Sequence, residues 1–222
     1  LDRTDCFGCH DGTEGPTVDE KLFDQTVHAD VDCTDCHGDV KDVPHDAPLK
    51  KVECSQCHDK VDAVYAKSIH GMKHAAGNKF VASCTDCHGM HNIFPPKDAR
   101  SQVYPLNLPE TCGKCHGNLD MIKKANITVP EEDMGPDVAK DPYSRYKQSV
   151  HGQAVFKSGL VVSAVCNDCH GTHDILPHTD PKSKINHENI RTTCGGCHSG
   201  VLAQFNESVH GKALTSGAKL PN

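Results

Sequence analysis

The cysteines of this 222-residue chain follow one pattern from end to end. All fourteen fall into Cys-x-x-Cys pairs, and a histidine follows the second cysteine of every pair. The pairs are Cys6/Cys9, Cys33/Cys36, Cys54/Cys57, Cys84/Cys87, Cys112/Cys115, Cys166/Cys169 and Cys194/Cys197. The histidines that follow them are His10, His37, His58, His88, His116, His170 and His198. Most of the segments between the motifs are short, so the motifs dictate what the chain can fold into.

Three kinds of chemistry use closely spaced cysteines. Zinc requires four ligands in a tetrahedron, which gives no reason for a histidine beside every second cysteine, and disulfides give none either. Cys-x-x-Cys-His is the attachment signature of c-type haem, in which two thiols bond the haem and the adjacent imidazole binds the iron. The pattern therefore predicts seven haem c groups, with the cysteine pairs as attachment points and the adjacent histidines as proximal ligands.

The composition agrees with an interior built from cofactor. The chain has no Trp, 4 Tyr, 6 Phe and only 36% hydrophobic residues. A buried Leu, Ile or Phe contributes about 1.5–3 kcal/mol, so such a chain has a thin core of its own. With one haem for about every 32 residues, we expect the porphyrins to form the core.

An internal repeat organises the chain. Residues 54–93 contain a motif, then Ser-Ile-His-Gly, then Cys-Thr-Asp-Cys-His-Gly-Met-His-Asn-Ile, and residues 112–175 repeat this order. The corresponding histidines His88 and His170 are 82 residues apart. A third copy begins at Cys194 and reaches His210. We predict one elongated unit, 1–222, with an N-terminal three-haem segment, 1–60, repeats at about 54–111 and 112–193, and a partial repeat, 194–212.

Ten histidines lie outside the motifs, and the repeat separates them. His70, His151 and His210 recur in Ser-Ile/Val-His-Gly turns, and His91 and His173 recur three residues after a motif histidine. His28 and His45 complete a set of seven candidate distal ligands for seven haems. On a helix, a histidine three residues after the proximal ligand points to the same side of the iron, so we expect His91 and His173 to bind neighbouring haems. The other three, His74, His178 and His187, do not recur and are predicted to lie on the surface.

The spacing of the motifs leaves little room for regular structure. Gly 18 and Pro 13 interrupt the chain. We predict a mostly irregular, haem-packed fold with short α-helices and little or no β-sheet. The longer predicted helices span 54–68, 119–125, 143–149 and 201–209.

Charge and hydropathy exclude other classes of protein. A formal charge of −7 and no basic run argue against nucleic-acid binding. The longest apolar stretch, 160–166, is far shorter than the roughly 20 residues needed to cross a bilayer, so we predict no transmembrane segment. The chain begins at Leu1, as after removal of a signal peptide, and thiols for haem attachment imply an exported protein.

Two features resemble multihaem c-type cytochromes of low potential. They are Cys-Thr-Asp-Cys-His-Gly at 33–38 followed by Pro44-His45, and the twin blocks of Ser-Ile/Val-His-Gly followed by Cys-x-Asp-Cys-His-Gly-x-His-x-Ile. Similar strings occur in respiratory cytochromes of the periplasm and cell surface, in cytochromes that polymerise into extracellular conducting filaments, and in haem domains of membrane quinol-oxidising complexes. The resemblance implies bis-histidine haems and electron transfer, with His45, His70, His91, His151, His173 and His210 as distal ligands.

The leading hypothesis is an electron conduit, because seven six-coordinate irons leave no position for a substrate. We expect a head-to-tail homopolymer at the cell surface, with redox proteins or extracellular acceptors as partners. A monomeric periplasmic shuttle and a haem domain of a membrane complex are the alternatives. An enzyme is the rival class, but it needs an iron with an open position, and no motif replaces its histidine with lysine.

Overall fold

The computed structural model describes residues 1–12, 16–45, 48–125 and 141–217. Within these ranges the chain forms short α-helices without a strand, which confirms the predicted fold class. None of the described helices has the length and apolarity to span a bilayer. The helices are α1 Arg3–Phe7, α2 Glu20–Phe23, α3 Cys33–Cys36, α4 Asp59–Tyr65, α5 Ile69–Ala75, α6 Cys84–His88, α7 Leu108–His116, α8 Leu119–Lys124, α9 Pro142–Gln148, α10 Val150–Ser158, α11 Cys166–His170, α12 Ile190–Gly195, α13 Ser199–Glu207 and α14 Val209–Thr215, with a 3-10 helix at Cys54–Gln56.

The aspartate of Cys-x-Asp-Cys explains why these motifs begin helices. The Asp86 carboxylate accepts a hydrogen bond from the backbone N–H of Ser83 at 2.7 Å. Asp168 accepts one from Val165 at 2.8 Å, and Asp35 makes the equivalent bond. This contact is half of a capping box and satisfies an N–H at the start of the helix. It holds the two cysteines and the histidine of the motif in one turn.

Three of the four longer predicted helices are present, as α8, α9 and α13, with ends that differ by two residues or fewer. The predicted helix 54–68 is wrong as a single element. It breaks at His58, whose backbone has φ −107° and ψ 40°, so a 3-10 turn and α4 replace it. Helix α4 ends before Ser68 because that serine caps the next helix.

The third motif, which contains Cys57, lacks the side chain that begins the helices of the Cys-x-Asp-Cys motifs. Its sequence has Gln56 in the place of the aspartate of Cys-x-Asp-Cys, and no side chain caps its first turn. The motif therefore forms only a 3-10 helix, and Cys57 follows that helix with φ −115° and ψ −26°. The prediction that Cys57 lies inside a continuous helix is wrong, and Cys57 is exposed.

The Ser-Ile/Val-His-Gly sequences begin helices α5, α10 and α14, so their prediction as turns is wrong. Each serine has extended backbone, and its hydroxyl accepts the N–H of the glycine three residues later at 3.0–3.1 Å. This is N-capping, which satisfies a backbone donor that the helix leaves open. The serines are Ser68, Ser149 and Ser208. The cap fixes the histidine in the first turn of each helix.

The polypeptide itself has a small core. Among the described residues only six hydrophobic side chains are buried, and three of them, Leu108, Val155 and Val165, form one cluster. In contrast, Val150 and Val209 are 79% and 77% exposed. The thin core predicted from the composition is therefore present.

Candidate functional site

Twelve histidines meet in six pairs of rings. Each pair joins one motif histidine with one histidine outside the motifs, and the ring centres are 6.0–6.1 Å apart. The pairs are His10–His45, His37–His91, His58–His28, His88–His173, His116–His70 and His198–His151. The structure therefore brings together six of the seven predicted proximal ligands and six of the seven predicted distal ligands.

The ring separation fits an iron between two axial imidazoles. A metal–nitrogen bond of about 2.0 Å and about 1.1 Å from that nitrogen to the ring centre place two opposed imidazole centres about 6.2 Å apart. The observed separations differ by 0.1 Å although the interplanar angles range from 13° to 72°. If two rings stacked directly on each other, the distance between their centres would change with the interplanar angle. Two rings that point at a common metal from opposite sides keep the same distance at any interplanar angle. The residues present therefore fit haem iron with two histidine ligands.

Burial favours the neutral form of several paired histidines. Desolvation lowers the pKa of His70, and the neighbouring His116 lowers it further. Desolvation likewise lowers the pKa of His116 and of His88, with His173 as a second cause for His88. A metal binds the neutral imidazole, so these shifts favour the ligating form.

The pairs do not follow proximity in the sequence. No motif histidine pairs with the nearest of the candidate distal histidines. The second and fourth motifs pair with histidines that come two motifs later, His91 and His173. The third, fifth and seventh motifs pair with histidines that precede them, with one other motif in between, as in His116–His70. The pairing therefore interlaces different parts of the chain.

A glycine explains why His91 and His173 leave their own motifs. Gly89 and Gly171 follow the motif helices with φ of +86° and +96°, a backbone conformation that side chains other than hydrogen rarely allow. The helix ends at His88, so the helical spacing used to predict the direction of His91 does not apply. The turn at glycine carries each histidine to a distant motif histidine.

Backbone hydrogen bonds join the same segments at a second point. The Val27 N–H donates to the Ile93 carbonyl at 2.9 Å, and the Ile69 N–H donates to the Ile175 carbonyl at 2.8 Å. Val27 precedes His28, and Ile69 precedes His70. A valine or isoleucine precedes four of the candidate distal histidines, and this pattern is a sequence signal for the contact. The carbonyl that accepts the hydrogen bond could not be identified from the sequence because it lies far away in the chain.

His170 and His210 are the two predicted ligands that meet no other histidine ring. The described ranges contain all seventeen histidines, and none of these rings is paired with either of the two. Burial lowers the pKa of His170, with His116 as a second cause. His74, His178 and His187 are exposed, and the His187 ring lies 3.9 Å from the Glu188 carboxylate.

The described ranges contain all fourteen cysteines, none of which forms a disulfide, and those of successive motifs lie close together. Burial raises the pKa of Cys6, and the nearby Cys33 thiol of the next motif raises it further. A hydrogen bond to Cys166 raises the pKa of Cys112, and burial adds to this shift. Hydrogen bonds between thiols link three pairs of successive motifs, through Cys6–Cys33, Cys54–Cys84 and Cys112–Cys166, and electrostatic effects alone link the others, through Cys36–Cys54, Cys87–Cys115 and Cys169–Cys194. Each motif therefore lies near the next one, and we call this succession of thiols the row.

The thiols differ in their exposure along this row. In each of the first three motifs the second cysteine is exposed, namely Cys9, Cys36 and Cys57, whereas the first is half-buried. In the fourth to sixth motifs both thiols are half-buried, and in the last motif both are exposed. Cys57 stays a predicted attachment point because it belongs to the third Cys-x-x-Cys-His motif, and its charge adds to the raised pKa of Cys36 in the preceding motif. The polypeptide therefore covers the fourth to sixth motifs more than the first three and the last.

Cysteine pairs beside histidines, in a helical chain with little core of its own, are features of multihaem c-type cytochromes, a class of protein that transfers electrons. Residues 25–117 match the family model described as cytochrome c3. The match spans about two fifths of the chain and includes the second to fifth motifs. Neither the search of curated proteins nor the search of solved structures finds a match.

Proposed function

We propose that the chain holds seven haem c groups and conducts electrons along them in the order of the motifs. The carrying observation is the set of six histidine pairs at 6.0–6.1 Å, each of which offers two imidazoles to one iron. The seven cysteine pairs would attach the haems, and the motif histidines would be the proximal ligands. Of the predicted distal ligands, His28, His45, His70, His91, His151 and His173 would serve iron within the chain.

The row of thiols supports the proposed order. Because each motif lies close to the next, the chain holds its attachment points in one continuous sequence without a gap. When bound, haem supplies one-electron transfer at its iron. The paired imidazoles fix the orientation of each site, and two histidine ligands favour low potentials. The polypeptide therefore sets spacing and potential.

For the assembly, we propose an extracellular head-to-tail filament of this chain. The main support is the exposure of the last motif in the row. Cys194 and Cys197 are exposed together, which holds for no other motif, and Cys9 of the first motif is exposed like the second cysteines of the next two motifs. Haems attached there could meet those of neighbouring copies, an arrangement that extends without closing. Electron microscopy of the holoprotein tests this: filaments are expected, and discrete particles at all concentrations would favour the monomeric shuttle.

Mass spectrometry and a redox titration of the holoprotein test the conduit. The intact mass should include seven haems. In the variant His70→Met, one haem should move to higher potential, because methionine ligation raises the potential of haem iron. His74→Met is the matched control, since His74 is exposed and should leave every potential unchanged. Fewer than seven haems, or equal titrations for both variants and wild type, would contradict the proposal.

A further inference from the structure

One type of segment serves two sites at once in this structure. The segment has the sequence His-Gly-x-His-x-Ile and occurs at 88–93 and 170–175. In 88–93, His91 faces His37, while the Ile93 carbonyl accepts the Val27 N–H at 2.9 Å. In 170–175, His173 faces His88, while the Ile175 carbonyl accepts the Ile69 N–H at 2.8 Å. Each copy thus covers one motif histidine and one backbone donor.

The third position in this series is open. His151 pairs with His198 just as His28 pairs with His58 and His70 with His116, so Val150 corresponds to Val27 and Ile69. His170 is then the third motif histidine in this series, after His37 and His88, which the two segments cover. Within the described ranges, no histidine ring is paired with His170 and no backbone carbonyl accepts the Val150 N–H. The Val150 residue is also 79% exposed, against 50% for Val27.

We propose that His170 and Val150 form a binding site for a further haem-bearing segment of sequence His-Gly-x-His-x-Ile. The second histidine of that segment would oppose His170 across the iron, and its isoleucine carbonyl would accept the Val150 N–H. This inference rests on the proposed function, because it requires a haem at the motif that contains His170. Two chemically different groups of the chain, an imidazole and an amide, specify the same missing segment.

A second copy of the chain has no such segment to give. Both copies of the sequence in this chain already contact an earlier part of the same chain, through His91 with His37 and through His173 with His88. The first two motifs are followed by Asp-Gly-Thr and Gly-Asp-Val, without the second histidine. The occupant is therefore a further repeat unit that is not among these 222 residues.

His210 agrees with this proposal from the other direction. Ser208 caps its helix as Ser68 and Ser149 cap theirs, and the preceding Val209 is 77% exposed. In the earlier copies such a histidine pairs with a motif histidine that lies beyond the next motif along the chain. His210 would accordingly ligate a haem of the incoming unit.

Carbon monoxide binding to the reduced holoprotein measures the open position. Mass spectrometry first establishes seven haems per chain. One haem per chain should then take up carbon monoxide, and the other six should stay low-spin. The probe is a synthetic peptide with the sequence of residues 171–177, Gly-Thr-His-Asp-Ile-Leu-Pro. It should bind at one per chain, convert the remaining haem to the low-spin form and suppress carbon monoxide uptake, and the same peptide with alanine for histidine should not.

The variant Val150→Pro tests the backbone contact. Ser149 has φ −67° and ψ 162°, which suits a residue before proline, and proline is favoured at the first helical position. The variant should bind the peptide about fivefold more weakly, as expected for loss of one hydrogen bond, with unchanged binding of free imidazole. Val209→Pro makes the same change after Ser208 and should leave peptide binding unchanged.

The outcomes separate the inference from the proposed function. Fewer than seven haems, or several that take up carbon monoxide, would contradict the proposed ligation itself. Seven haems without carbon monoxide uptake would overturn the inference alone, since His170 would then have a ligand from this chain. Uptake that disappears at high protein concentration would show that a second copy covers the site, which also overturns the inference. Uptake that the peptide cannot suppress would identify a site for a small molecule instead.

Discussion

Gly71→Ala should displace the histidine that follows Ser68 in the capped helix α5. Gly71 is buried, and an added Cβ would overlap the Tyr65 carbonyl oxygen and lie 2.7 Å from the Tyr65 carbonyl carbon and 2.8 Å from the Ala66 Cα. Carbon atoms normally approach to about 3.5–4.0 Å, so the helix start must move by about 0.7 Å or more. Backbone atoms cannot rotate away as a side chain can. We expect a cost of about 3 kcal/mol, the upper part of the usual range for overpacking.

The displacement should break one specific pair of histidines. His70 precedes Gly71 and faces His116 with 6.1 Å between the ring centres. The reduced Gly71→Ala holoprotein should therefore take up one carbon monoxide more per chain than wild type and lose one low-spin haem. Magnetic circular dichroism counts the low-spin haems, and gas titration counts the uptake.

Two controls separate this effect from general destabilisation. An added Cβ at Gly211 meets the backbone of Phe205 and Asn206 in the same way, but His210 pairs with no ring among the described residues. Gly211→Ala should therefore destabilise its helix without changing the number of low-spin haems or the carbon monoxide uptake. A Cβ at Gly200 meets nothing within 4 Å, so Gly200→Ala should change neither quantity. Equal carbon monoxide uptake by Gly71→Ala and wild type would refute the reasoning.

Two further predictions concern stability. The Asp98 carboxylate accepts three hydrogen bonds from Arg100, which lower its pKa to about 2, below the unfolded value of 3.8. Because the folded pKa is below the unfolded one, the ionised carboxylate stabilises the fold above about pH 4, and this stabilisation is lost as the pH falls towards 2. Urea unfolding of Asp98→Asn should therefore show a weaker loss of stability than wild type over this pH interval. Equal losses in the two proteins would contradict the prediction. The Tyr65 hydroxyl donates to the Ala82 carbonyl at 2.6 Å, and Tyr65→Phe should lower the free energy of unfolding by about 1 kcal/mol. The third copy of the repeat already has a phenylalanine, Phe205, at the corresponding position. An unchanged unfolding midpoint in Tyr65→Phe would show that the hydrogen bond of Tyr65 contributes nothing.

Local features of the fold could be predicted from the sequence because they depend on neighbouring residues. The helices at 84–88 and 166–170 follow from a motif whose own aspartate closes the first turn. The helices that begin after Ser68, Ser149 and Ser208 were missed as helices. Their capping hydrogen bond is local, because it joins the serine hydroxyl to the N–H three residues later. A short sequence of histidine and glycine nevertheless favours the prediction of a turn.

The histidine pairing depends on contacts between distant parts of the chain and could not be predicted. Seven motif histidines and seven candidates gave a balanced count, which concealed that His170 and His210 do not meet. The partner of His88 is 85 residues away, although His91 is only three residues away. Nothing in a local pattern chooses between them, since the choice depends on where the turn at Gly89 directs the chain.

The interlaced pairing also sets a timetable for maturation. A chain made from its N-terminus exposes His37 and His88 well before the histidines that face them, His91 and His173. The 85 residues between His88 and His173 must reach the site of haem attachment before this pair can form. A haem attached beside His88 before then would lack its second imidazole. The early sites would therefore stay incomplete until the later repeat arrives.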